Sequence, residues 1–398
     1  MQDTYSSRPG SRSLRRIVKN HAFAVEVHHH PAVVAKDWAE LESEGTVFQS
    51  RAWLLPWYRI VAPRYGAAAL FVIVRDAVGG HPLMFIPLSI RRRLGLTTIE
   101  FPDLGVSDYN APIVARDLLL SPDQVQWLWG DICRSLPPAD IVGFSKIPED
   151  IAGRPNPFIH LRWLERWMKM GSWAIELPRC RMDYDRATLR SKDRKELQRK
   201  CRNLIKYSGS IDFFDAKDSE EGRRIFETLM AQHRRRFGER GRREFLDDAT
   251  YRRFYEAVAF ESQEKIAVLS ALKASDRLVA TLFGLLHGGR YVLIMLSFDQ
   301  DLNGLSPGIV ALNEKISDLI RSGVAAFDLS FGDLPYKRQF GAKRSILYCG
   351  VYPLTARGRL FAKVRHWARL PEPIAERSLD VVRGLRCYWR RMKYWFAG

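Results

Sequence analysis

The sequence predicts a mixed α/β chain made of two similar units and followed by a basic helical tail. Three observations carry that prediction. Arg290 to Ala342 reads as strand, loop, helix, strand and polar loop. The order hairpin, helix, strand with a polar end occurs between Leu70 and Lys146, and again between Leu278 and Asp333. Beyond Thr355 the composition changes, with basic residues interleaved among large aromatics.

The stretch from Arg290 to Ala342 organises the rest. Arg290 to Phe298 is an almost unbroken apolar run, the pattern of a strand buried on both faces. Asp299 to Leu305 is rich in turn formers. Ser306 is suited to cap a helix, with Pro307 at its first position, where a missing N–H loses nothing. Ile309, Leu312, Ile316, Leu319 and Ile320 fall on one helical stripe, and Gly323 follows as a stop. Phe327, Leu329 and Phe331 alternate with Asp328 and Ser330, which is strand spacing. That strand ends at Gly332 and delivers Asp333, Tyr336, Lys337 and Arg338. A helix N-terminus binds anions through its exposed N–H groups, so Ser306, Pro307, Gly308 and Ile309 form a candidate phosphate cradle, with all but Pro307 supplying an N–H. Open α/β sheets place ligands at the carboxyl ends of strands, where the charged cluster lies. An ordinary β-α-β unit with a polar loop is the competing reading.

The 398 residues suit two or three domains, and 46% apolar residues fill real cores. Net charge is +18 and the pI about 9.8. Such a balance points to anionic partners: nucleic acid, an anionic membrane surface or a polyanionic ligand. Cys133, Cys180, Cys201, Cys349 and Cys387 are scattered and form no metal-type pattern, so no disulfide framework, zinc site or other metal is expected. The N-terminal twenty residues are basic without an apolar segment, unlike a secretory signal. No apolar run reaches the roughly eighteen residues of a spanning helix. The expected location is cytoplasmic, with the inner face of a membrane as a possible contact.

Met1 to Asn20 is polar and Arg/Ser-rich, as in disordered segments. His28, His29 and His30 are adjacent on one short strand and cannot all face one ion. Ala35 to Glu44 reads as a helix, and Trp53 and Trp57 as core residues one helical turn apart. Leu70–Asp76 and Pro82–Arg92 form a hairpin around Gly79-Gly80. Glu100 to Pro112 is an irregular loop with Asp103, Ser107, Asp108, Tyr109 and Asn110 in reach of one another; a turn-rich loop and a substrate-facing loop are both open. Ser121 caps a helix to Leu136, and Ala139 to Phe144 is a buried strand. Met182 to Tyr207 is a basic helix with eight Lys or Arg from Arg190 to Lys206. It reads either as a solvated linker or as a phosphate clamp.

Asp218 to Arg240 is an amphipathic helix opened by an Asp218/Glu221 capping box, with Ile225, Leu229 and His233 on one face. Lys265–Leu272, Leu278–Leu286 and Arg290–Phe298 make a meander, and Ser345–Leu354 is the last strand. From Arg357 to Lys393 there are eleven Lys or Arg against three acids, interspersed with Trp367, Tyr388, Trp389 and other aromatics. That mixture suits an anionic bilayer, single-stranded nucleic acid, or two helices packed on the preceding domain.

Phe327-Asp328-Leu329-Ser330-Phe331-Gly332, followed by Asp333, Tyr336, Lys337 and Phe340, resembles the C-terminal half of GNAT-type N-acyltransferases of the CelD/BcsL-like branch. That branch is related to the FemAB-like peptidyl transferases. The resemblance runs from about Phe48 to the C-terminal helices. The usual GNAT pyrophosphate loop, Gln/Arg-x-x-Gly-x-Gly/Ala, is replaced here by Leu302 to Gly308. The resemblance implies two tandem GNAT-like domains with mixed central sheets flanked by helices. The boundaries expected are a basic N-terminus (1–20), a first GNAT-like domain (21–180), a basic linking helix (181–208), a catalytic GNAT domain (209–355) and the basic aromatic tail (356–398). It also implies acetyl-CoA or a longer acyl-CoA as donor and an amine as acceptor, either on a surface-polysaccharide precursor or on a membrane lipid such as a sphingoid base. It places the Asp108-Tyr109 loop where the halves meet, and His233 and Arg236 near the acceptor.

Aminolysis of a thioester needs a neutral amine, a stabilised oxyanion and a protonated leaving group. Asp333 is the first candidate base and Asp328 the second. Tyr336 suits the leaving thiolate, Lys337 the oxyanion, Lys343 and Arg344 further phosphate charge, and Arg338 the acceptor. Two other functions remain open: aminoacyl-tRNA-dependent transfer, with the basic helix on tRNA, and a non-enzymatic nucleic-acid-binding or scaffold role.

Overall fold

Apolar runs broken by Gly and Pro turns become strands along most of the chain. The computed structural model describes residues 18–19, 23–93, 95–238 and 248–367. All of the expected N-terminal segment but Val18 and Lys19, and most of the basic aromatic tail, lie outside them. The strands are β1 (Val18–Lys19), β2 (Phe23–His28), β3 (Ala67–Asp76), β4 (Pro82–Arg93), β5 (Leu96–Glu100), β6 (Ile113–Val114), β7 (Ile141–Pro148), β8 (Asp150–Ile151), β9 (Arg154–Pro155), β10 (Leu164–Glu176), β11 (Ile211–Asp215), β12 (Ala267–Ala274), β13 (Arg277–His287), β14 (Arg290–Phe298), β15 (Ala326–Phe331) and β16 (Lys343–Pro353). All but the β8–β9 hairpin belong to one mixed sheet flanked by helices. Its order is β1-β2-β3-β4-β5-β7-β16-β10-β15-β14-β13-β12-β11, with β6 beside β4.

The topology repeats. In the first half β2, the helices Pro31–Leu41 and Arg51–Pro56, the meander β3-β4-β5 and the helix Pro122–Ser135 lead to β7. In the second, β11, the helices Ser219–Gly238 and Ala249–Phe260, the meander β12-β13-β14 and the helix Pro307–Arg321 lead to β15. The strand after each of these is exchanged. β10 follows the first half but pairs with β15, and β16 follows the second but pairs with β7. The exchanged strands pair with each other and seal the halves into one sheet. The sheet's parallel pairs are β5–β7 and β14–β15.

Three cores follow. One fills the outer face of the first half around Trp129 and Phe144, and one fills that of the second around Leu312, Ile316 and Phe327. The third lies between the halves: Trp38, Trp53, Trp57 and Phe85 pack with Phe226, Phe254 and Phe283. Trp53 meets Phe254 edge-on at 4.9 Å, so both tryptophans are core residues as expected.

Local chemistry sets the element ends. Ser121 closes a capping box with Gln124, and Glu221 N–H donates to Asp218 at 2.9 Å. His30 accepts from Ala32 N–H and caps Pro31–Leu41, which begins earlier than the expected Ala35. Three sequence expectations are corrected. Ser306 stands at the helix start in a left-handed conformation (φ 54°), and its side chain makes no capping bond. The expected basic helix from Met182 to Tyr207 is interrupted at Leu189 and Arg190, both extended, and its main body is Ser191–Ser208. β10 was not anticipated, because Arg166 and Lys169 punctuate its apolar residues. Among the described residues no helix is long and apolar enough to cross a membrane.

Gly350 lies in β16 opposite Leu164 of β10, where a Cβ would run into the Trp163 carbonyl. Gly350→Ala is expected to lose about 1–3 kcal/mol by overpacking. Gly304→Ala, with nothing within 4 Å of its Cβ position, serves as the control and stays near wild type. Urea unfolding midpoints check both.

Candidate active site

β14 and β15 pair in parallel only from Arg290 to Val292 and from Ala326 to Asp328. Both continue beyond that point, to Phe298 and Phe331, and diverge. The equivalent strands of the first half, β5 and β7, pair over Thr98–Glu100 and Ile141–Gly143. There the loop after β5 occupies the gap. Asn110 N–H donates to the Lys146 carbonyl at 3.0 Å, and the Asn110 side chain donates to the Ser145 carbonyl at 3.0 Å. Lys146 Nζ donates to the Ser107 carbonyl at 2.8 Å and pairs with Asp103 at 3.1 Å. The loop of one half thus plugs its own sheet and reaches across to the other half.

Its tip carries Asp108 and Tyr109. Tyr109 Oη donates to Asp328 Oδ1 at 2.7 Å, joining residues 219 apart in sequence. Ser330 N–H donates to the same oxygen at 2.7 Å. Arg290 lies 3.7 Å from Asp328 Oδ2, and the Ser330 hydroxyl hydrogen-bonds Asp108. Asp328 is 4% exposed. Burial pushes its carboxyl up to about 6, against the opposing pull of Tyr109, Arg290 and the Ser330 N–H. Burial also raises Asp108, opposed by Lys146 and Ser330. Burial and then the Asp328 charge hold the Tyr109 phenol far above its ordinary value.

The chain kinks where the strands part. Ser330 has φ 71°, a left-handed conformation that a serine adopts only when held. Its N–H and hydroxyl are bound as above. Lys337 Nζ donates to the Ser330 and Phe331 carbonyls at 3.0 and 2.9 Å. Lys337 is buried, which lowers its pKa to about 8 despite the carboxylates of Asp108, Asp328 and Asp333. Its ammonium therefore clamps the strand end.

The other sequence candidates divide into three places. Asp333 accepts from Trp173 Nε1 at 2.7 Å and from Arg344 Nε at 3.1 Å. Burial raises its pKa, but Arg344 and Trp173 outweigh that and hold it below the ordinary range. Arg338 lies over the Trp173 ring at 5.3 Å. Asp333 and Arg338 line a cleft of about 1080 Å³ beside the basic helix. Lys343 is exposed at the start of β16, next to Arg344. On the opposite face, His233 Nδ1 lies 3.1 Å from Ser297 Oγ of β14, and Arg236 lies over Phe298 at 5.5 Å. Tyr336 feels the Arg236 charge, yet burial keeps its phenol up at about 12. At the start of Pro307–Arg321, the Ser306 N–H donates to Asn303 and the Ile309 N–H to Ser306, both at 3.0 Å. A Cβ on Gly308 would lie 3.0 Å from Phe298, so this glycine admits the strand's own side chain. Among the described residues no group of three or more His, Cys, Asp or Glu could hold a metal ion.

Sequence reasoning missed Ser330, Lys146, Arg290 and Trp173 as members of these clusters. Arg290 opens an apolar run, and that was its one local signal. Nothing local marked the others.

Residues 191–338 match the family model described as acetyltransferase (GNAT) domain. The matched stretch spans β11 to β15 of the second half. The structure is similar to that of FemX, with 11% identity, 81% of this chain and 96% of that chain covered, and a TM-score of 0.56. It is also similar to the C-terminal domain of a putative lysylphosphatidylglycerol synthetase from Agrobacterium fabrum, with 11% identity, 84% and 96% covered, and a TM-score of 0.50. At that identity the likeness is one of fold. No curated protein matches the chain.

Tyr109→Phe removes a hydrogen bond to a buried charged group and is expected to destabilise the protein by about 1.5–3 kcal/mol. It also removes a force that lowers the Asp328 pKa. Between the ordinary carboxyl value of 3.8 and about 6, the folded state keeps a proton that the unfolded state has released. Stability therefore falls as pH rises through that window, and the fall is complete above it. In Tyr109→Phe the upper edge moves higher. Unfolding free energies across the acidic to neutral range check the shift, with Asp328→Asn as the reference lacking the window.

Proposed function

We propose that the chain is an acyltransferase whose reaction takes place in the second half, where β14 and β15 part, and that it moves an acyl group from an activated carrier to an amine. The observation that carries this reading is the divergence of the two strands beyond Val292 and Asp328, with a buried carboxylate of raised pKa at the vertex. A donor chain fits between strand edges that have stopped pairing, because its amides can take up the strands' hydrogen bonds. The first half offers no such opening, since its own loop lies there.

Asp328 is the better base of the two candidates, reversing the sequence order. A general base works best with a pKa near the working pH. Asp328 is displaced toward that range, whereas Arg344 stabilises Asp333 as a weakly basic carboxylate. The amine proton passes to Asp328 directly or by way of the Tyr109 hydroxyl, as the amine nitrogen bonds to the acyl carbon. The bond from that carbon to the leaving sulfur or oxygen then breaks, and the protonated Tyr336 phenol is the group suited to return a proton there. Lys337 acts by fixing the strand end rather than by meeting an oxyanion.

The donor is acyl-CoA in the first reading. A second, aminoacyl-tRNA, is favoured by the start of Pro307–Arg321, where two of the three candidate N–H groups already serve the turn. The acceptor is an amine of a surface-polysaccharide precursor or membrane lipid. The basic aromatic tail supports an anionic membrane surface as its location.

The test is single-turnover transfer from acetyl-, octanoyl- and palmitoyl-CoA, and from aminoacyl-tRNA, to a panel of amino sugars and lipid amines. The active donor should give a kcat/KM that rises with pH through about 6, because the base works deprotonated. Asp328→Asn should lower it on the order of 100-fold or more. A folded Asp328→Asn protein with wild-type turnover would remove this site. Salt-sensitive nucleic-acid binding without transfer from any donor would favour the scaffold reading.

A further inference from the structure

The basic helix Ser191–Ser208 has a pattern that the reaction site does not use. Lys192, Lys195, Arg199, Arg202 and Lys206 recur every three or four residues and form one stripe. All five are exposed, while Leu197 and Leu204 are buried on the other side. The stripe is about 21 Å long at 1.5 Å per residue. Its first three members line the cleft that holds Asp333, Trp173 and Arg338.

The cleft has the parts that a phosphorylated nucleoside needs. Arg190 and Arg199 are tied to Asp193 and Glu196 at 2.6 and 2.7 Å. Lys192, Lys195 and Arg338 form no ion pair with a carboxylate among the described residues. Leu334, 49% exposed, and Pro335 supply an apolar wall for a base. The cleft also borders the end of β15. Its wall runs through Asp333, two residues beyond Phe331, whose carbonyl Lys337 holds. The start of Pro307–Arg321 is less suited to phosphate, because the Ser306 and Ile309 N–H groups are engaged and the Gly308 backbone faces Phe298.

We infer that the phosphates of the acyl carrier are held in this cleft by Lys192, Lys195 and Arg338, and not at the N-terminus of Pro307–Arg321. The inference rests on the acyl-transfer reading. The ligand class is a phosphorylated adenosine carrier, the chemistry shared by CoA and the 3′ end of an aminoacyl-tRNA. Arg202 and Lys206 extend the stripe beyond the cleft, where CoA ends and an RNA stem continues.

The experiment measures affinities of the full chain for CoA and for an aminoacylated acceptor-stem minihelix at several salt concentrations. Wild type is compared with K192E/K195E and with R202E/K206E, each confirmed folded by its melting profile. In K192E/K195E the carrier should bind at least about tenfold more weakly, with a salt slope smaller by about two. R202E/K206E should weaken the minihelix and spare CoA. A carrier that binds wild type and K192E/K195E equally overturns the cleft assignment and leaves acyl transfer standing. Wild-type protein that binds neither carrier overturns both.

Discussion

A buried carboxylate links the two halves of this protein inside the seam that their shared core and exchanged strands form. Asp328 belongs to the second half, but Tyr109, whose hydroxyl donates to it, comes from the first. Placing an ionisable group between two sheets is unfavourable unless its neighbours satisfy it. The loop after β5 meets that demand by filling the first half's opening with its own backbone and carrying Asp108 and Tyr109 across. The loop tip and the kink at Ser330 both meet this buried acid group, and Lys337 clamps the strand end just beyond it.

Opposed charges keep this arrangement poised. Asp103, Asp108 and Asp328 face Lys146, Arg290 and Lys337 within a small buried volume. Burial raises Asp108 and Asp328 and lowers Lys337, while mutual attraction works the other way. The outcome differs from site to site with solvent access. Asp333, more exposed and bound by Arg344, remains a stable anion. Asp328, sealed behind Tyr109, moves toward neutrality. Two aspartates five residues apart thus acquire different chemistry from their surroundings alone.

Much of the second half was legible in its residues. The apolar run from Arg290, the stripe from Ile309 to Ile320 and the alternation around Phe327 each report a local period, and local periods survive tertiary folding. The doubled hairpin-helix-strand order was legible for the same reason. What the sequence hid was long-range. Nothing near Asp328 announces Tyr109, and nothing near Gly350 announces that its strand lies between β7 and β10. The choice between Asp328 and Asp333 also escaped, because it depends on which carboxyl the fold buries. The cap expected from Ser306 failed because the turn before it uses the serine backbone in a left-handed conformation, which directs the hydroxyl elsewhere.

The exchange of β10 and β16 makes the two halves interdependent during folding as well as in the finished sheet. The stretch 191–338 that carries the acetyltransferase match excludes both exchanged strands. Cut out alone, it would present β15 with an unpaired edge rich in Phe and Leu, the kind of surface that recruits other chains. In the intact chain β16 is the last of the described strands to be made, and it must insert between strands whose sequence neighbours were completed long before. Such distant pairing slows folding and concentrates cooperativity at the seam. Domain boundaries drawn along the sequence therefore do not divide the molecule where it would come apart.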